Sequence, residues 1–173
     1  GGLLIVGALL TSTLLWARLD NPFVWLVLFV TMSFAAIGFA DDYAKVSKQT
    51  TAGVSGRVRL LLGFLIAAIA AYFSTISHPE GLQNQLAVPV FKDVLISLGI
   101  LFIPFAIIVI VGAANAVNLT DGLDGLAIMP VMIAAGTLGV IAYVVGRVDF
   151  TDDLGLHYVP GTGELLVITM GII

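Results

Sequence analysis

NAVNLTDGLDGLA, at residues 115–127, separates two of the most apolar segments of this chain. A membrane helix would be expected to continue through such a region, because polar groups at membrane depth are costly unless they find a partner. The stretch instead carries two carboxylates and two carboxamides at every third position: Asn115, Asn118, Asp121 and Asp124. On a helix or a 3₁₀ turn this spacing forms a polar ridge. Gly122 and Gly125 allow the backbone to turn, so the stretch predicts a helix that breaks at the membrane surface.

The composition indicates a membrane protein. The 173 residues are 60% hydrophobic and only 10% charged, and the mean hydropathy is +1.12. Charged residues make up about a quarter of a typical globular protein. The absence of cysteine excludes a disulfide framework and a thiolate metal site, and the net charge of −4 does not suggest a nucleic-acid partner.

Six uncharged runs are predominantly apolar: 1–17, 21–40, 60–79, 94–120, 125–146 and 165–173. About 20 helical residues cross a hydrocarbon core of about 30 Å. The four middle runs are therefore long enough to span, and the two end runs look truncated. We expect an all-α polytopic membrane protein with about six transmembrane helices in a single transmembrane domain over residues 1–173. The chain starts without Met and stops within an apolar run, which is typical of an internal fragment.

Three smaller features have structural interpretations. Pro104 lies inside the run 94–120 and is expected to kink that helix. Residues 85–94 alternate weakly between apolar and polar, which favours a short hairpin outside the membrane. Glycine and alanine along 63–71 favour close packing between helices.

The topology follows from the basic residues, four of which fall in the loop 41–59: Lys45, Lys48, Arg57 and Arg59. By the positive-inside rule this loop is cytoplasmic. Counting spans then places the loop 117–125 on the same side. The two acidic clusters at helix ends that face the cytoplasm, in GFADDYAK (38–45) and NLTDGLDG (118–125), are therefore expected to share one site.

Asp41 and Asp42 are not explained by helix stability. If the helix ends near residue 40, both carboxylates lie at the negative end of its macrodipole, which costs roughly 0.3 to 1 kcal/mol each. The alternative is an interfacial stop signal in which Asp41 pairs with Lys45 if the helix continues by a turn. Adjacent helical residues point about 100° apart, so the two carboxylates are expected to have different roles.

A cluster of carboxylate and amide oxygens beside a basic loop suits Mg²⁺ that carries phosphates, because this ion takes a few protein oxygens and completes its shell with water and phosphate. The basic side chains could neutralise the phosphates. Phosphoryl transfer at the cytoplasmic membrane surface is the resulting hypothesis.

The two segments GFADDYAKVSKQTTAGVSGRVRLL and NAVNLTDGLDGLAIMP resemble the signature cytoplasmic loops of the phospho-N-acetylmuramoyl-pentapeptide transferase family, within the polyprenyl-phosphate hexosamine-1-phosphate transferase superfamily. The resemblance implies a ten-helix, homodimeric enzyme of the bacterial inner membrane with a cytoplasmic active site and Mg²⁺ as cofactor. Such an enzyme transfers phospho-MurNAc-pentapeptide from UDP-MurNAc-pentapeptide to undecaprenyl phosphate, a membrane lipid, and produces lipid I and UMP.

The resemblance also implies roles for individual residues. Asp41 and Asp42 match an essential acidic pair, one member of which acts as base on the lipid phosphate, and Asp121 completes the expected catalytic set. Asn118 is an expected metal ligand. The expected substrate-binding residues are Lys45, Lys48, Arg59, Asn115, Asn118, Asp121 and Asp124.

The chain also departs from the family pattern. The principal metal-binding aspartate and a histidine-rich loop are expected beyond residue 173, so the chain alone is expected to be inactive. Arg59 stands where a lysine is expected. Three alternatives stay open: a related HexNAc-1-phosphate transferase, an ion-coupled transporter and a structural subunit. A transporter would place its acids near the bilayer midplane, whereas these lie at the ends of the apolar runs.

Overall fold

The structure, a computed structural model, describes residues 2–49, 53–88, 91–120 and 125–173. Its helices and strands, in chain order, are α1 (Gly2–Trp16), α2 (Pro22–Lys48), α3 (Gly56–Ser77), β1 (Gln85–Val88), β2 (Phe91–Ser97), α4 (Phe102–Thr120), α5 (Ile128–Val145), α6 (Val148–Leu154) and α7 (Leu165–Met170). Short 3₁₀ turns precede α4 at Gly99–Leu101 and α7 at Thr162–Glu164.

Within the described ranges, four helices are long and apolar enough to cross a membrane: Pro22–Ser47, Gly56–Ser77, Gly99–Thr120 and Ile128–Val145. They correspond to the four middle runs, and the predicted class of all-α polytopic membrane protein is confirmed. The end runs correspond to α1, with 15 residues, and α7, with 6 residues. Between 6% and 22% of the residues in each spanning window are buried. The apolar faces of these helices are therefore mostly exposed, as expected of helices whose solvent is lipid.

Helix α2 begins at a side-chain cap. The Asn21 side-chain oxygen accepts a hydrogen bond from the Phe23 N–H at 2.9 Å, and Pro22 occupies the first helical position, where its missing N–H costs nothing. The helix then continues through Lys48 and ends at Gln49, whose φ of 48° is left-handed. The loop predicted over 41–59 is therefore too long, because its first eight residues are helical and α3 begins at Gly56.

The run 94–120 is not a single kinked helix, so that prediction is wrong. Its first residues belong to β2, and the α-helix starts at Phe102. Pro104 therefore lies in the first turn of α4 and not in its interior. In the first turn, the missing N–H of proline removes no hydrogen bond within the helix. Pro130 occupies the same kind of position in α5. The short hairpin predicted over 85–94 is confirmed: β1 and β2 are antiparallel and pair Gln85 with Ser97.

The spans pack through small residues. The buried residues of α3 are Gly63, Ala67, Ala70 and Ala71, which confirms the prediction for 63–71. A methyl group at Gly63 would lie 3.7 Å from Phe34 of α2 and 3.9 Å from Val111 of α4, so α3 packs between these two helices. A separate apolar cluster joins α1, α2 and α7 through the residues Leu9, Ala17, Val24, Leu28 and Ile168.

At the end of the bundle away from Lys48, side chains bond to backbone groups of distant segments. The Asn21 amide nitrogen donates to the Gly161 carbonyl at 2.6 Å, and the Thr162 hydroxyl donates to the Ala142 carbonyl at 3.1 Å. Asn21 therefore both caps α2 and ties it to the segment that precedes α7.

We predict that Asn21→Ala destabilises the full-length protein by about 1 kcal/mol for the lost cap, plus about 1 kcal/mol for the lost bond to Gly161. Asn21→Asp keeps the capping oxygen and loses only the second bond. The melting temperature in detergent should therefore fall in the order wild type, Asn21→Asp, Asn21→Ala. An Asn21→Ala protein with the same melting temperature as the wild type would contradict this role.

Candidate active site

A cavity of about 780 Å³ lies between α2, α3 and α4 at the end of the bundle where α2 and α4 terminate. Its walls are partly apolar, with Phe34, Ile37 and Val131 among them. Six polar side chains also line it: Asp41, Asp42, Lys45, Arg59, Asn115 and Asn118. The acidic segment of α2 and the two asparagines of α4, more than 70 residues apart in sequence, thus meet in one cavity.

The helix rise gives the depth of this cavity. Asp41 is the twentieth residue of α2, so about 29 Å of helix separates it from the start of the span. Asn118 is the twentieth residue of the span Gly99–Thr120, at a similar distance from its start. A hydrocarbon core is about 30 Å thick. The cavity therefore lies at the membrane boundary rather than near its middle.

Asp41 is buried, with 8% of its surface exposed. Its Oδ1 accepts a hydrogen bond from the Val54 N–H at 2.8 Å, and its Oδ2 lies 2.5 Å from the Lys45 Nζ. Since α2 continues past both residues, the expected cost at a helix end does not arise. The i, i+4 pair considered as the alternative is present, but it contacts a third group in the α2–α3 connection.

Asp42 is in a different environment. Its side chain is 81% exposed, and its Oδ1 lies 3.9 Å from the Lys45 Nζ. Because the Lys45 ammonium is in close contact with Asp41, it neutralises the negative charge of Asp42 less than that of Asp41. The adjacent carboxylates thus divide into one buried and bonded group and one that faces the open cavity.

The opposite wall supplies amides and a second cation. The Asn115 amide nitrogen donates to the Val111 carbonyl of its own helix at 2.8 Å, which orients the side chain along α4. Asn118 follows one turn later and is exposed. Arg59, half-buried in the first turn of α3, contributes a guanidinium. Guanidinium and ammonium groups beside carboxylate and amide oxygens suit an anionic ligand, such as a phosphate, together with a hard cation.

The remaining expected site residues are Lys48, Asp121 and Asp124. Lys48 is the last residue of α2. Asp121 and Asp124 lie outside the described residues, as does Gly122. Gly125 has a φ of 81°, which fits the turn expected there.

Sequence reasoning missed Gly53. A methyl group built at this residue would overlap the Asp41 Oδ1 and approach the Lys45 Cε to 2.9 Å, so a side chain at this position would displace the ion pair. A second glycine nearby, Gly56 at the first position of α3, has open space around it. Spacing alone does not distinguish the two.

The sequence of this chain is similar to that of a known protein family. Residues 24–162 match the family model described as glycosyl transferase family 4, so the chain belongs to that family. The matched range includes both motifs that line the cavity.

Individual relatives carry a more specific name. The chain is 77% identical over 172 residues to the phospho-N-acetylmuramoyl-pentapeptide-transferase of Ruegeria sp., covering 99% of this chain and 48% of the relative. Proteins of the same name from Dinoroseobacter shibae and Maricaulis maris are 70% and 56% identical, over 100% and 96% of this chain and 48% and 47% of their own lengths. The chain thus spans about half the length of the curated relatives it matches. The resemblance noted from the two motifs agrees with these names.

We predict graded effects at Gly63, which lines the cavity where α2, α3 and α4 meet. Gly63→Ala places its methyl group at ordinary contact distances and should stabilise α3 by up to about 1 kcal/mol through helix propensity. Gly63→Leu overpacks the contact and should cost about 1 to 3 kcal/mol. Thermal unfolding of the two variants in detergent measures the difference. Equal stability of Gly63→Leu and the wild type would contradict the close packing.

Proposed function

We propose that this chain forms part of the active site of a phospho-N-acetylmuramoyl-pentapeptide transferase. The substrates would be UDP-MurNAc-pentapeptide and undecaprenyl phosphate, and the products lipid I and UMP. The observation that carries this proposal is the meeting of two separate motifs in one charged cavity at the membrane boundary. A polyprenyl phosphate keeps its tail in the bilayer and its phosphate at this depth, where a water-soluble nucleotide can also reach. The names of the relatives support the choice within the superfamily.

In the proposed reaction, a phosphate oxygen of the lipid attacks the phosphorus bonded to the sugar. The bond from that phosphorus to the bridging oxygen breaks, and UMP leaves with the electron pair. Asp42 would accept the proton of the lipid phosphate, because its carboxylate is exposed to the cavity. Arg59 and Lys45 would hold the negatively charged phosphates in line. Positioning and charge neutralisation supply most of the acceleration in phosphoryl transfer.

The residues present fit a divalent cation. Among the described residues, no group of three or more His, Asp or Glu could hold a metal by itself. The cavity nevertheless offers hard oxygen donors in the Asp42 carboxylate and the Asn118 amide, and Mg²⁺ takes its other ligands from water and phosphate. We propose Mg²⁺ with Asn118 as one ligand and with Asp121 and Asp124 close to the nucleotide. When bound, the ion would neutralise charge on the diphosphate.

The location of the cavity disfavours the other classes. An ion-coupled transporter has its site near the bilayer midplane, whereas Asp41 and Asn118 both lie about 29 Å along their spans. A structural subunit would have no need of an exposed carboxylate in a cavity that a lysine and an arginine also line. We propose further that this end of the bundle faces the cytoplasm of a bacterial inner membrane, and that the enzyme is a homodimer.

Asp42→Asn in the full-length enzyme should lower kcat for UMP release about 10²- to 10⁴-fold, the usual contribution of a general base. Asp152→Asn, an exposed carboxylate at the other end of the bundle, is the matched control and should keep full activity. The donor specificity is tested in parallel, and UDP-MurNAc-pentapeptide should be used in preference to UDP-GlcNAc. Full turnover by Asp42→Asn would contradict the proposed base, and equal use of both donors would favour the related transferase.

The proposed orientation can be tested with single cysteines, because this chain contains none. Val46 is 77% exposed in the last turn of α2, and Glu80 is exposed beyond the end of α3. In a cysteine-free full-length protein in intact spheroplasts, an impermeant maleimide should label Glu80→Cys directly and Val46→Cys only after permeabilisation. The reverse pattern would place the cavity outside the cell.

A further inference from the structure

We propose that Asp41 is a positioning residue that clamps the α2–α3 connection, and that it does not itself react with substrate. The clamp consists of Asp41, Lys45, Gly53 and Val54. This inference rests on the proposed function, in which Asp42 meets the lipid phosphate. It assigns different roles to Asp41 and Asp42, two adjacent carboxylates that the sequence alone does not distinguish.

The first argument is the occupancy of the Asp41 oxygens. One oxygen accepts the Val54 N–H at 2.8 Å and the other lies against the Lys45 ammonium. With 8% of its surface exposed, the residue has little room for another partner. A general base must come within hydrogen-bond reach of the proton that it removes. Asp42, whose side chain is 81% exposed, meets that condition better.

The second argument is that the backbone at Gly53 lies very close to the Asp41–Lys45 pair. Gly53 packs so tightly on the Asp41–Lys45 pair that a methyl group at residue 53 would overlap the carboxylate. The connection is thus held against α2 by a hydrogen bond at Val54 and by contact at Gly53. If Asp41 acted only as a reactive group, it would not need this contact with Gly53. A residue that holds the connection in place does need it.

The third argument is that the clamp determines the positions of Lys45 and Arg59. Ser55 caps α3 by accepting the Val58 N–H, and the Arg59 N–H donates to the Ser55 carbonyl. Holding Val54 therefore fixes the start of α3 and with it the backbone of Arg59. On the other side, the ion pair holds the Lys45 ammonium at the cavity wall. Asp41 thus sets the position of both cations that would bind the diphosphate.

The test compares variants of the full-length enzyme by kcat for UMP release. Gly53→Ala keeps every ionisable group but forces the pair apart, and it should lose about 10²-fold, as expected when a misplaced group must be repositioned. Gly56→Ala, with open space around it, is the matched control and should match the wild type. Full activity of Gly53→Ala would overturn the proposal.

Asp41→Asn and Asp41→Ala separate positioning from chemistry. The asparagine oxygen can still accept the Val54 N–H, so Asp41→Asn should lose about 10-fold while Asp41→Ala loses at least 10²-fold. Removal of a base gives no such rescue, and Asp42→Asn should be as inactive as Asp42→Ala. Equal inactivity of Asp41→Asn and Asp41→Ala, at the level of the Asp42 variants, would overturn the positioning role.

A readout without turnover distinguishes this inference from the proposed reaction. Val54→Cys keeps the backbone N–H, and the side chain at that residue is half-buried. Maleimide labelling of the introduced thiol should accelerate about tenfold when Asp41→Ala or Gly53→Ala is added, because the connection opens locally. Adding Asp42→Asn should leave the rate unchanged. Unchanged labelling with Asp41→Ala would refute the clamp, whichever reaction the enzyme catalyses.

Discussion

The structure depends on one constraint: a chain inside hydrocarbon must satisfy its backbone hydrogen bonds within each segment. The four long apolar runs accordingly form helices, and consecutive helices are antiparallel because each run crosses the membrane once. Every second connection then reaches the same surface. This parity brings the end of α2 and the end of α4 to one level, where Asp42 and Asn118 line a single cavity. The candidate site therefore follows from the number of spans between its two motifs as much as from the motifs themselves.

At that surface, two neighbouring carboxylates differ in how deeply they are buried. Asp41 and Asp42 differ by one position, and the helix turns them about 100° apart. The first faces the α2–α3 connection and is bonded on both oxygens, whereas the second faces the cavity. A buried carboxylate is costly unless it is paired and hydrogen-bonded, and Lys45 with the Val54 N–H meets both requirements. The same groups that satisfy Asp41 also make it a poor candidate for contact with substrate.

The sequence predicted the class, the four middle spans and the hairpin, because these follow from long apolar runs and from the alternation at 85–94. The parity of the spans also predicted that the acidic segment of α2 lies at the same end of the bundle as the end of α4, and Asn115 and Asn118 of α4 do share its cavity. It did not predict where helices end. Polar residues such as Asp41 and Lys45 look like a loop in a hydropathy pattern, yet they continue α2 because they pair at i, i+4. Pro104 looked like a kink because the start of α4 was placed eight residues too early. The role of Gly53 was invisible, since it depends on a contact with a helix that the sequence pattern does not reveal.

The two ends of the bundle show why a cavity alone does not define an active site. A second cavity of about 580 Å³ at the other end is lined by Arg18, Asp20 and Glu164 among others. There Arg18 donates to Asp20 at 3.0 Å, a hydrogen bond that holds the pKa of this carboxyl below its usual range. Asn21 and Thr162 bond to backbone carbonyls. These groups are engaged with one another and stabilise the connections between helices. At the α2–α4 end, by contrast, Asp42 and Asn118 are exposed in a cavity that two cations also line, and these exposed donors and acceptors are what the proposed reaction of a diphosphate would require.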